Sequence, residues 1–364
     1  MAPDAPQGNP FAQLLAVARE VSFIKGAELV RQGEASRGAF LIRSGAVEAR
    51  VALPGGGTLT VAKFHDGDMF GEMALIERGV VSATVVAHSN VDAWFVGRDD
   101  FRALVASREI AALEIQRIIT RTLADKLRAL NERFREYPAA EDRPAIGTLP
   151  ASDPLAGVPR SRRASFHWKA YLPVLPFFEG FDGDEIDEFI STGKVLELPR
   201  GAWIFAAGLK ADACYIILRG AVEIFTRTGK DAASGVAKDR RVAIAGPGEL
   251  VGFVALLRGA THGGNARARE ACWLLEIPRA AFLEIYNAAS GTTVSLHHAI
   301  HRSLMRSIAR TNTQLTRLIS HARLSAAGEK ARELEAALHG QIWRQAPRTR
   351  STAAFARHVS MRVD

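Results

Sequence analysis

The stretch GDMFGEMALIERGVVSATV, from Gly67 to Val85, sets two apolar strand-like runs on either side of Phe70-Gly71-Glu72-Met73-Ala74. That central segment has helical character, opens at a glycine and carries a carboxylate. Backbone N–H groups at a glycine-led helical turn bind anions, and a fixed carboxylate accepts hydrogen bonds from sugar hydroxyls. The stretch therefore predicts a cage for a phosphorylated sugar.

Outward from it, the pattern is that of short strands. After a disordered lead of residues 1–10, Phe11 to Arg19 reads as a short helix. From Phe23 the apolar period shifts towards two, punctuated by Gly26, Gly33 and Gly45. Pro54 to Gly57 reads as a turn, Leu59 to Phe64 as its hairpin partner, and VVAHSNVDAWFVG as further strands, which predicts an antiparallel β-roll. Beyond the roll, Leu123, Leu127, Leu130 and Phe134 share one face of a helix from about Ile110 to Glu136.

The central stretch resembles the phosphate-binding cassette of cyclic-nucleotide-binding domains, found in the catabolite gene activator family and in regulatory subunits of cAMP-dependent protein kinase. That pattern is F-G-E-[LM]-A-L, a few variable residues, then P-R-[SA]-A-T-V. The resemblance implies that Glu72 binds the ribose hydroxyl, that the backbone of Gly71, Met73 and Ala74 surrounds sugar and phosphate, and that Ser82 and Ala83 lie beside the phosphate. Phe70, Thr84 and, on the following helix, Asn131 complete the expected site. In the family that helix covers the base and often forms a dimer interface. Where the family places the arginine that neutralises the phosphate, this chain has Val81. Burying a phosphate charge without its partner weakens binding, so Arg78 is the nearest candidate cation, and a neutral purine nucleoside is the other ligand that fits.

With 364 residues and 48% hydrophobic composition, the chain can bury two ordinary cores. Its 47 basic residues, mostly arginine, exceed 39 acidic ones, which permits anionic partners without specifying one. Cys214 and Cys272 lie in apolar runs far apart, as buried reduced thiols do. No run is long enough for a membrane span and no secretory leader is evident, so a cytoplasmic location is expected.

The chain then repeats itself. Gly26, Gly33, Phe40 and Gly45 recur as Gly201, Gly208, Tyr215 and Gly220, each displaced by 175 residues. Gly67, Gly71, Ala74 and Leu75 recur as Gly248, Gly252, Ala255 and Leu256, displaced by 181, so six residues are inserted in the polar hairpin loop TGKDAASGVAKDR. Such a shared displacement means one fold used twice. LPFFEGFDGDEIDEFIS precedes the second copy as an aromatic pair and an acidic helix start. The first copy keeps only NPFAQLLAVARE, so its helix is shortened or starts upstream of this sequence.

The second cassette, GPGELVGFVALLRGATHGGN, has Phe253 at the carboxylate position and Gly or His at the arginine position. Without its polar anchors it reads as a degenerate copy with a structural or protein-contacting role. Arg267 and Arg269 follow on alternate strand positions and read as water-facing. The segment Arg160 to Phe166 contains R-R-x-S, which resembles the recognition sequence of cAMP-dependent protein kinase but reads better as a basic linker. His297, His298 and His301 form H-H-x-x-H, read as an interhelical or solvated pair in preference to a metal site.

The expected architecture is mixed and mainly β: two antiparallel, jelly-roll-like β-rolls, each flanked by short helices and followed by a long C-terminal helix. Domain 1 covers residues 11–137, a Pro-rich basic linker 138–167, domain 2 168–340 and a basic tail 341–364. No catalytic constellation, cofactor motif or metal cluster is apparent, and the tail is too short for the DNA-reading domain that related transcription factors append. The expected function is a non-enzymatic sensor of cAMP, cGMP or a related purine nucleoside, signalling through its long helices to an unknown protein partner. A homodimer is compatible with the leucine stripes. A ligand-free scaffold of two modules is the alternative.

Overall fold

A computed structural model of the chain describes residues 14–52, 57–76, 78–107, 110–137, 142–161, 168–230 and 237–324. The lead, the expected turn of Pro54 to Gly57 except Gly57 itself, the R-R-x-S residues 162–165, residues 231–236 of the polar stretch and the basic tail lie outside the described residues. The chain forms two compact units, one of residues 1–119 and 319–364, the other of residues 120–318.

In the first unit the strands are β1 (Arg19–Phe23), β2 (Glu28–Val30), β3 (Gly38–Ser44), β4 (Val47–Ala52), β5 (Thr58–Phe64), β6 (Met69–Phe70), β7 (Thr84–Ala87) and β8 (Val91–Gly97). They form two antiparallel sheets, β1-β8-β3-β6 and β2-β7-β4-β5. Between the sheets lies an apolar cluster that includes Phe40, Ile42, Val47, Phe70 and Val85. Phe40 stacks on Phe70 with ring centroids 5.0 Å apart, which seats β6 and hence the turn that follows it. Helices α1 (Met73–Ile76) and α2 (Arg98–Ala106) flank the roll, and α3 (Ile110–Glu136) follows it. The expected helix of residues 11–19 needs correcting at its end. Leu14 to Ala16 are helical, but Arg19 already pairs with Phe95 as the first residue of β1, because a strand partner satisfies its backbone.

In the second unit the corresponding strands are β11 (Lys194–Leu198), β12 (Trp203–Phe205), β13 (Ala213–Arg219), β14 (Val222–Lys230), β15 (Ala237–Ala245), β16 (Leu250–Val251), β17 (Asn265–Ala268) and β18 (Cys272–Pro278). Their sheets are ordered β11-β18-β13-β16 and β12-β17-β14-β15, the first roll's order strand for strand. The hairpin β14–β15 is longer than β4–β5, as the six-residue insertion predicts. The repeat extends to backbone conformation. Gly45 and Gly220 both have positive φ, and a Cβ on either would meet a carbonyl oxygen, of Asn90 at 2.2 Å and of Ala271 at 2.4 Å. Only glycine fits either turn. Short helices α4 (Trp168–Tyr171) and α5 (Gly183–Ser191) precede this roll; α6 (Phe253–Arg258), α7 (Arg279–Asn287) and the long α8 (Gly291–Leu324) lie within or after it. The acidic start of α5 is a capping box: Asp182 accepts from the Glu185 amide at 2.8 Å, and Glu185 accepts from the Asp182 amide.

Two further edge strands come from the proline-rich segment. β9 (Arg143–Pro144) pairs with β15, and β10 (Arg160–Ser161) pairs with β11. Leu155, between them, is buried in the second roll's core. Arg160 makes a bidentate pair with Glu276 at 2.6 and 3.0 Å. Residues 142–147 are strapped down: Arg240 holds Asp142 through two hydrogen bonds of 2.7 and 2.9 Å, and the Ile146 amide donates to Asp239 at 3.0 Å. Arg240 also donates to the carbonyl of Phe134, near the end of α3.

The stripe Leu123, Leu127, Leu130 and Phe134 is buried within the chain, and these residues belong to the second unit. Cys214 and Cys272 are free and buried. Burial pushes the Cys214 thiol well above its ordinary range. Among the described residues no helix is long and apolar enough to cross a membrane.

Candidate functional site

In the first roll, β6 delivers the chain to Gly71, whose φ of +76° lets the backbone reverse into α1. A Cβ there would approach the Gly38 carbonyl oxygen to 2.9 Å. The turn is closed by the Ala74 amide donating to the Gly71 carbonyl at 2.9 Å. Glu72 is fully buried on this turn, Ala74 is buried and Met73 half-buried. Phe70 belongs to the core instead, between Phe40 and Phe64.

The second half of the cassette is the loop from Arg78 to Thr84. Val81 is half-buried and fixed through its main chain: its amide donates to Glu34 at 2.8 Å and its carbonyl accepts from Gly33 at 2.9 Å. Ser82 is exposed, Ala83 is buried in the core cluster, and Thr84 accepts a hydrogen bond from the Gln32 amide at 3.1 Å. Arg78 is exposed. One residue that the sequence reading passed over ties the two halves together. Arg98, at the start of α2, donates to the carbonyl of Ala74 at 2.6 Å and to that of Ser36 at 2.7 Å, while Ser36 is bonded to Gly79. Its signal was available, since Arg98 recurs as Arg279 at the same displacement of 181. Asn131 lies in the other unit, where it accepts a hydrogen bond from Thr311 of α8 at 3.2 Å.

The second cassette repeats the frame with its interior filled. Gly252 has φ +82°, and the rings of Phe205 and His262 lie 3.4 and 3.5 Å from where its Cβ would be. Those rings stack at 4.1 Å and 9°. Phe253 is buried where the first roll has Glu72. Burial lowers the His262 pKa to about 4, with the Asp212 carboxylate opposing the shift. Arg258, closing α6, forms an ion pair with Asp125 of α3.

His297 and His301 of the H-H-x-x-H stretch are packing residues. His297 stacks on Tyr286 at 4.3 Å and its Nε2 contacts the Tyr286 carbonyl at 3.1 Å, while His301 Nε2 bonds the Thr120 hydroxyl at 2.7 Å. Among the described residues no group of three or more His, Cys, Asp or Glu side chains could hold a metal.

The sequence model described as cyclic nucleotide-binding domain matches the chain twice, over residues 20–108 and 195–289. The Cyclic AMP receptor protein of Thermus thermophilus is 29% identical over 101 residues, 28% of this chain and 47% of the relative, so the match spans about half that relative's length. Among solved structures, the regulatory domain of Toxoplasma gondii protein kinase A with cAMP is 20% identical, covering 77% of this chain and 85% of that one, with a TM-score of 0.28. The regulatory subunit of a cAMP-independent protein kinase A from Trypanosoma cruzi, bound to guanosine, is 17% identical over 76% of this chain and 80% of that one, with a TM-score of 0.28. The paired matches fall on the two rolls and together take in half of the sequence: the chain belongs to the cyclic nucleotide-binding domain family, with two copies of that domain.

Proposed function

We propose that the chain is a non-catalytic regulatory protein whose first roll binds a purine ribonucleoside, or more weakly its cyclic nucleotide, through Glu72. The carrying observation is a fully buried carboxylate on the Gly71 turn, in a cassette whose second half has Val81 where the family has arginine. A carboxylate at that place suits a neutral ribose, which donates hydroxyls. A cyclic phosphate would lose a charge-assisted bond worth roughly 1.5–3 kcal/mol, a weakening of about tenfold or more. Arg98 already serves the carbonyls of Ala74 and Ser36, and Arg78 is exposed, where solvent screens its charge.

The second roll, its cassette filled by Phe205, Phe253 and His262, acts in this reading as a structural and signalling partner. Its cassette helix is tied to α3 through Arg258 and Asp125. A bound ligand shifts such a system only if it prefers one helix arrangement.

Calorimetry with adenosine, guanosine, cAMP and cGMP on the full chain tests the reading. Nucleoside binding that Glu72→Gln removes is the expected result. No binding of any of the four would overturn it in favour of a ligand-free scaffold.

A further inference from the structure

The second roll carries a cavity of ≈ 270 Å³ lined by Arg143, Arg200, Glu223, Arg241, Arg267 and Arg269. It is on the outer face of the sheet, not inside the roll. Ala266 and Ala268 of β17 and Val222 of β14 are core residues, so the alternate positions Arg267 and Glu223 point the other way. Glu223 is buried and takes a hydrogen bond from Arg143 at 2.8 Å and from Arg267 at 2.9 Å. Arg267 lies over the Phe225 ring at 5.7 Å, which fixes the guanidinium further. Arg200, Arg241 and Arg269 are exposed at the rim, and none of them forms an ion pair among the described residues. Five guanidiniums thus line a pocket that holds one carboxylate, and three of the five have no ion-pair partner among the described residues.

The first roll shows that the fold does not require this. At the displacements of 175 and 181, Arg200, Glu223, Arg267 and Arg269 correspond to Lys25, Glu48, Val86 and His88. Strand register matches Arg241 with Thr60. There Glu48 is paired with Lys63 at 2.9 Å and with Arg50 at 3.1 Å. Arg143 is an addition, carried in by β9.

We propose that this cavity binds a compact anion bearing two or more linked phosphates, either free in solution or as a phosphorylated lipid headgroup. Guanidinium forks match phosphate oxygens two at a time, and a net excess of four positive charges around the pocket suits more than one phosphate. The cavity has room for about nine waters and lies below the usual range for larger organic ligands, which favours a small polyanion.

Inorganic triphosphate and orthophosphate, titrated into the full chain by calorimetry at about 0.15 M salt, test it. Triphosphate should bind at least about tenfold more tightly, and the double variant Arg241→Gln/Arg269→Gln should weaken it by a similar factor. Both arginines are exposed and unpaired, so folding is not at stake. Lys194→Gln/Lys210→Gln removes the same charge outside the cavity and should leave binding unchanged. Absence of triphosphate binding, or equal loss in both double variants, would overturn the proposal. Sedimentation with vesicles containing a phosphorylated inositol lipid identifies the source. Sedimentation that triphosphate reverses and the arginine double variant abolishes assigns a headgroup, and triphosphate binding without sedimentation assigns a free anion. Sedimentation insensitive to both, without triphosphate binding, counts against the site.

Discussion

Val81 and His262 occupy the same place in the two rolls. The Val81 amide donates to Glu34 at 2.8 Å and the His262 amide to Leu209 at 2.8 Å, while each carbonyl accepts from a glycine, Gly33 or Gly208, at 2.9 Å. Glu34 and Leu209 are themselves equivalent, 175 residues apart. The backbone at the position where the family pattern has arginine is therefore held in the same way in both copies, and only the side chain differs.

Val81→Arg should accordingly convert the first cassette without rebuilding it. Affinity for cAMP should rise by about tenfold or more, as expected for a charge-assisted hydrogen bond, while nucleoside binding changes little. Parallel titrations of cAMP and adenosine into wild type and variant measure the difference, and an equal gain for both ligands would contradict the assignment.

His262 gives the second roll a pH dependence. Its folded pKa, about 4, lies below the ordinary 6.5 because burial disfavours the imidazolium. Between those values the unfolded chain binds the proton and the folded chain does not, so stability falls as pH drops from about 6.5 to 4. The loss at the acid end is on the order of 3 kcal/mol. Urea unfolding of wild type and His262→Phe across that window should show a shallower slope in the variant.

Arg240 and Asp142 form a buried pair, their side chains 7% and 8% exposed. Removing one partner strands the other charge, so Asp142→Leu or Arg240→Met alone should cost roughly 3–5 kcal/mol. The double variant should recover much of that. A denaturant double-mutant cycle reads the coupling, and strictly additive losses would mean that the pair does not act as a unit.

The cassette glycines separate backbone strain from crowding. Gly71→Ala meets both a positive φ and the Gly38 carbonyl at 2.9 Å, whereas Gly252→Ala meets the positive φ with nothing closer than 3.4 Å. The second change should cost about 1–2 kcal/mol, and the first more. Thermal unfolding of the two variants decides the order.

What the sequence made legible was the part carried by residues with no substitute. Glycines at positive φ recur at fixed displacements, 175 and then 181, because other residues rarely adopt that backbone conformation, and they reveal the two rolls, the hairpin insertion and the cassettes. The partners of a helix face are another matter. The period of Leu123, Leu127, Leu130 and Phe134 reveals a buried stripe but not what buries it, so Asn131 was read with the first roll although it bonds Thr311 in the second unit. The arginine cavity was hidden for a similar reason. Its arginines come from β9, the turn before β12, β15, β17 and the residue just past β17, and on any one strand an outward arginine looks like ordinary surface. Two-residue strands have no period at all, which is why residues 142–161 read as linker.

Those short strands make the segment between the rolls a seam. β9 covers part of the free margin of β15 and β10 part of that of β11, the places where an open sheet would otherwise recruit a strand from another molecule. A second roll cut out at Trp168 would lose both covers together with Leu155 from its interior and Arg143 from its cavity. A piece of that half of the chain that keeps these contacts therefore starts no later than Asp142, and what separates the two rolls in sequence also seals one of them.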